Sequence, residues 1–376
     1  MTKSIFGWIR SNWTFLAFVA SVVSIWYVYR EYGVSYFESF KTIANTKESA
    51  RRYKNTGDEL LLHAEFKAAD EAYQTAVAID PSFIEAREGL MRTQILNSIG
   101  SFTNYTPVAV EAKLKSLERV SPQDYLIPYI RGIIKIDEDK QDEARTLFEN
   151  SLQKNRKFVG NYIQLGYLHL FKADITNAKA KFKEALNEVP DHPVALYNSG
   201  LCDMLSLDFN SAITAMEVAS SAERLEIFLS LGEAYRNAGN IDMAVFHHEK
   251  ARKLLDDPKL KDGANYSRGT FNFFPQDNKD QNTPKIFVQA VTLNHYKALI
   301  NYALSIDYAL QGKFPDANRL FSEGYNADET INGEKDFGCF YINRSDFVTR
   351  RQKTDPSVFR WFSEKRAALD RNKSCV

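Results

Sequence analysis

Four glycines at a near-constant interval constrain this chain more than any other feature. Gly132, Gly166 and Gly200 are 34 residues apart, and Gly232 follows 32 later. Twelve residues after each stands an alanine: Ala144, Ala178, Ala212 and Ala244. Four further on come Phe148, Phe182, Met216 and His248, and three beyond those Ser151, Ala185, Ala219 and Ala251. Glycine costs a helix interior about 1 kcal/mol relative to alanine. Its return at one register therefore implies a neighbouring helix that comes too close for a side chain. Small residues at i and i+7, with a larger one between, lie on one face of a second helix. Each copy is thus a helical hairpin that cannot bury its apolar face alone and must stack on the next.

Composition agrees. Apolar residues make up 44% and charged residues 26% of the 376, which excludes disorder for most of the chain. Lys plus Arg equal Asp plus Glu at 48 each, so no net positive field exists to draw nucleic acid. Only 17 Gly and 11 Pro argue against a sheet-rich fold with many tight turns. Cys202, Cys339 and Cys375 are too few and too scattered for a disulfide scaffold or a zinc module.

The recurrent residues resemble the tetratricopeptide repeat (TPR) family. The best copy carries Tyr162, Leu165, Gly166, Ala178, Phe182, Ala185 and Pro190, with His169 where an aromatic is usual. An earlier copy has Gly57, Ala69, Tyr73, Ala76 and Pro81, and a weak last one Tyr308, Ala317, Phe321 and Gly324. The resemblance implies an all-α, right-handed superhelical solenoid. Copies fall near 50–83, 125–158, 159–192, 193–224 and 225–256, with a divergent stretch at 84–124. Residues 257–285 form a polar insertion carrying Phe271, Phe273 and Phe274. A degenerate hairpin is expected over 286–327, and an irregular segment with a capping helix over 328–376.

The amino terminus reads as a membrane anchor. Ser11 to Tyr29 holds no charge between Arg10 and Arg30, about 28 Å of helix. Trp13 near one end, and Trp26 and Tyr29 at the other, suit the headgroup boundary. This gives a tail at 1–10, a single-pass span at 11–30 and a linker at 31–49. A cleaved leader competes, but aromatics continue past the small-residue site around Ser24. Flanking Lys and Arg nearly tie, leaning slightly toward an array on the non-cytoplasmic side.

No catalytic or metal-ligating constellation stands out. HExxH, CxxC, G-x-S-x-G and phosphate-loop patterns are missing from the sequence, so no cofactor and no small-molecule substrate are expected. His248 replaces a bulky packing residue, and Cys202 reads as a core thiol. By the resemblance, first helices line an inner groove. That places Tyr129, Ile133, Ile163, Tyr167, Tyr197, Asn198, Leu201, Glu233, Arg236 and Asn237 there. Of the pattern that clamps a chaperone's terminal carboxylate, only Asn198 is present. The expected function is a non-enzymatic scaffold that holds a protein partner at a membrane through this groove. An accessory or chaperone-like subunit of an export or envelope-assembly machine is the alternative, and an enzyme with its site in the carboxy-terminal third is a second.

Overall fold

A computed structural model describes residues 34–100, 106–256, 293–332 and 355–370. All regular structure among them is helical. Fifteen α-helices are described: α1 (Val34–Leu62), α2 (Phe66–Ile79), α3 (Ile84–Gly100), α4 (Pro107–Val120), α5 (Leu126–Asp137), α6 (Gln141–Lys154), α7 (Val159–Phe171), α8 (Ile175–Glu188), α9 (Pro193–Leu205), α10 (Phe209–Ala219), α11 (Leu225–Asn237), α12 (Ile241–Leu254), α13 (Leu293–Leu310), α14 (Phe314–Asn332) and α15 (Pro356–Asp370). The chain divides into two units, one of residues 1–60 and 67–91, the other of residues 61–66 and 92–376.

In the first unit the Tyr73 ring is buried where a Cβ on Gly57 or Gly89 would come within 2.8 or 2.3 Å of it. Its hydroxyl donates to Asp58 Oδ1 at 2.7 Å, and Lys54 pairs with the same carboxylate at 2.6 Å. The small faces of Ala69 and Ala76 are fully buried beneath it.

In the second unit α5–α6, α7–α8, α9–α10, α11–α12 and α13–α14 pair as consecutive hairpins. One turn serves all five. A left-handed residue closes the first helix: Asp139, Ala173, Leu207, Gly239 and Gly312. The next N–H reaches back five residues, as Asp174 does to the His169 carbonyl and Asn240 to that of Tyr235, each at 2.9 Å. The side chains of Asp174, Asp208 and Asn240 then accept from the N–H three residues on, capping α8, α10 and α12. Between paired helices, a Cβ on Gly166 would meet Phe182 at 2.5 Å and one on Gly132 would meet Phe148 at 2.6 Å. The glycine-to-aromatic spacing of the sequence is therefore a physical contact. Ala178, Phe182 and Ala185, and likewise Ala212, Met216 and Ala219, are fully buried between hairpins.

α15 lies at the far end, where Trp361 donates to Asn318 Oδ1 at 3.0 Å and stacks edge-on against Phe321. The Phe271–Phe274 insertion lies outside the described residues.

The expectation of single-pass membrane localisation is corrected. Among the described residues, no helix is long and apolar enough to cross a membrane. Arg10, Trp13, Trp26, Tyr29 and Arg30, on which that expectation rested, lie outside the described residues. The first described helix, α1, is too polar to span.

Candidate protein-binding strip

The first helices α5, α7, α9 and α11 carry the residues expected to line a groove. The structure buries most of them. Tyr129, Ile163, Tyr167, Tyr197, Asn198, Leu201 and Arg236 are buried, while Ile133, Glu233 and Asn237 are half-buried. Also half-buried toward the carboxy-terminal ends of these helices are Ile136, Phe171 and Met204.

The polar members bond to one another. Asn198 Nδ2 donates to the Tyr167 hydroxyl at 3.0 Å and to the Val194 carbonyl at 2.6 Å, while its Oδ1 has no donor among the described residues. The Tyr197 hydroxyl lies 3.0 Å from Ser230 Oγ. The Tyr129 ring meets Phe158 edge-on at 4.8 Å. Burial pushes the phenols of Tyr129, Tyr167 and Tyr197 above their ordinary value, so all three stay neutral.

The charged end is likewise spent internally. Arg236 pairs with Glu233, lies 3.2 Å from Asp307 Oδ1 and donates to the Ala303 carbonyl at 3.2 Å. Asp307 Oδ2 is 2.5 Å from His248 Nδ1, and the other ring nitrogen of His248 is 3.0 Å from the Leu229 carbonyl. Arg236, His248, Glu233 and Asp307 thus form one polar cluster among α11, α12 and α13. Asp307 was not singled out from sequence. The available signal was a lone acid amid the apolar residues of α13.

Chemistry of other kinds finds little footing. Burial, and secondarily Asp203, pushes the Cys202 thiol up to about 12, which keeps it unreactive. No group of metal-ligating side chains occurs among the described residues. Consecutive hairpins share one turn, one cap and one glycine contact. The chain is a helical-repeat protein.

No family model matches this chain, and no curated protein sequence matches it. Similar solved structures are tetratricopeptide-repeat proteins. "Crystal structure of MamA" is 16% identical with a TM-score of 0.38, covering 53% of this chain and 95% of that one. MamA from Desulfovibrio magneticus RS-1 is 12% identical with a TM-score of 0.40, covering 56% and 97%. PilF from Pseudomonas aeruginosa is 14% identical with a TM-score of 0.37, covering 58% and 98%. Likeness at this level carries no inference about partners.

Proposed function

We propose that this helical-repeat protein is a non-catalytic scaffold whose strip of first-helix residues holds a segment of a protein partner. The observation that carries this is the apolar set Ile133, Ile136, Phe171 and Met204, left half-buried near the ends of three consecutive first helices. Partly exposed apolar side chains on rigid helices offer contact area at little ordering cost. Glu233 and Asn237 supply a polar border. The buried Tyr167 and Tyr197 beneath hold the helices in register rather than meeting the partner themselves.

The strip has no concentrated positive charge, so binding draws on shape and apolar burial and depends weakly on salt. In affinity capture from its native source, the full chain retains a stoichiometric partner. Ile133→Asp or Met204→Asp should lower the yield at least tenfold, and Ala180→Asp, at an exposed position of α8, should not. Equal yields from all three folded variants would refute the assignment.

A further inference from the structure

Three residues at helix starts form a second row. Tyr125, Phe158 and His192 each stand at the residue just before a first helix, α5, α7 and α9 in turn. Phe158 is fully buried and His192 nearly so, although positions preceding a helix are usually open to water. The six-residue segment Leu61–Phe66, which belongs to the same unit, meets this row. The Phe66 ring lies 6.3 Å from that of Phe158 and 6.5 Å from that of Tyr129. The His63 carbonyl accepts from His192 Nε2 at 2.7 Å.

The roles at His192 are fixed by its other nitrogen. Nδ1 accepts from the Ala195 N–H at 3.2 Å, so the proton sits on Nε2 and points at the His63 carbonyl. Residues 63 and 66 flank the turn between α1 and α2, in which Ala64 holds φ at +59° and its N–H donates to the Leu61 carbonyl at 3.1 Å. The segment thus reaches three consecutive hairpins, with a carbonyl at the start of α9 and an aromatic ring beside α5 and the start of α7.

We propose that the Tyr125–Phe158–His192 row, with Tyr129, is a peptide-binding edge of the strip, occupied in this structure by the chain's own Leu61–Phe66 turn. The partner it fits presents a backbone carbonyl and, three residues later, an aromatic ring. Such a segment competes with the turn, so the protein regulates its own binding edge. This rests on the reading of the strip as a partner surface. The turn supplies the contacts a partner would supply, and Phe66 itself stays half-buried rather than locked in a core.

The test uses a fluorophore-labelled peptide copying residues 59–70, added to the full chain and read by anisotropy. Phe66→Ala in the chain empties the aromatic position while leaving the row intact. The peptide should bind this variant at least tenfold more tightly than the unaltered chain, and a peptide with the same Phe→Ala change should not bind. If Phe66→Ala fails to fold by circular dichroism, Phe66→Leu takes its place with the same expectation. Equal binding to variant and unaltered chain, or binding to neither, overturns the proposal. Partner capture that still depends on Ile133 and Met204 while the peptide fails would discard this edge and keep the strip.

Discussion

His248 Nδ1 and Asp307 Oδ2 meet at 2.5 Å across 59 residues of sequence, with both side chains fully removed from solvent. His248 stands where the neighbouring hairpins have Phe148, Phe182 and Met216, so a polar contact replaces apolar packing at this one joint. Breaking a buried pair leaves an uncompensated charge, at a cost of about 3–5 kcal/mol. Asp307→Ala, which removes the partner of His248 Nδ1 and one of the partners of Arg236, should destabilise by this amount in chemical denaturation. His248→Phe restores the repeat's aromatic and leaves Asp307 with Arg236 alone. The double variant should cost less than the sum of the two, because the two side chains are in contact. Strict additivity would show that the pair is not coupled.

Leu207 is 70% exposed and holds φ at +62°, a left-handed conformation that a branched residue adopts at a cost of about 1–2 kcal/mol. The equivalent turn residue of the next hairpin is Gly239, at φ +88°. Leu207→Gly should therefore raise stability by about 0.5–1 kcal/mol, seen as a higher denaturation midpoint with an unchanged slope. A lower midpoint would mean that the leucine contributes contacts its exposure does not suggest.

Gly166 has the opposite constraint. A methyl there meets the fully buried Phe182 ring at 2.5 Å, so Gly166→Ala should cost about 1–3 kcal/mol despite its better helix propensity. Thermal unfolding of the variant decides whether the close approach outweighs propensity. An unchanged or higher midpoint would show that the hairpin opens freely.

Burial holds the His192 imidazole below its ordinary value of 6.5. Its Nδ1 lone pair caps α9, and protonation removes that acceptor. A depressed histidine stabilises the fold in its neutral form. The contribution is complete above about pH 6.5 and is lost as pH falls through that value toward the lower folded one. His63 and Asp191 are the titratable neighbours that modulate it. Denaturation measured from pH 7.5 to 5 should show a steeper loss for the unaltered chain than for His192→Asn, which caps without titrating. Parallel profiles would remove His192 from the acid response.

The periodic elements were legible because they rest on short-range geometry. Gly166 twelve residues before Ala178 and sixteen before Phe182 is a hairpin's internal contact written in sequence. The turns were harder to see, since three of the five in the second unit put Asp139, Ala173 or Leu207 where glycine would announce a left-handed residue. The burial of the first-helix residues was hard to see for a related reason. Helical periodicity places Tyr167, Tyr197 and Asn198 on one face but cannot say what covers it, and the structure turns their polar atoms toward each other and Ser230. His248 was recognised as a packing substitute, while its partner lay 59 residues away beyond the insertion and left no local trace. The contact of Leu61–Phe66 with Phe158 and His192 is longer still, and no spacing rule encodes it.

Site-directed photo-crosslinking tests the scaffold reading most directly. A benzophenone side chain placed at Ile133 or Met204 in the full chain, irradiated in its native source, should yield one discrete protein adduct. The same group at Ala180 should yield none. Adducts of equal yield at all three positions, or none at Ile133 and Met204, would contradict the account.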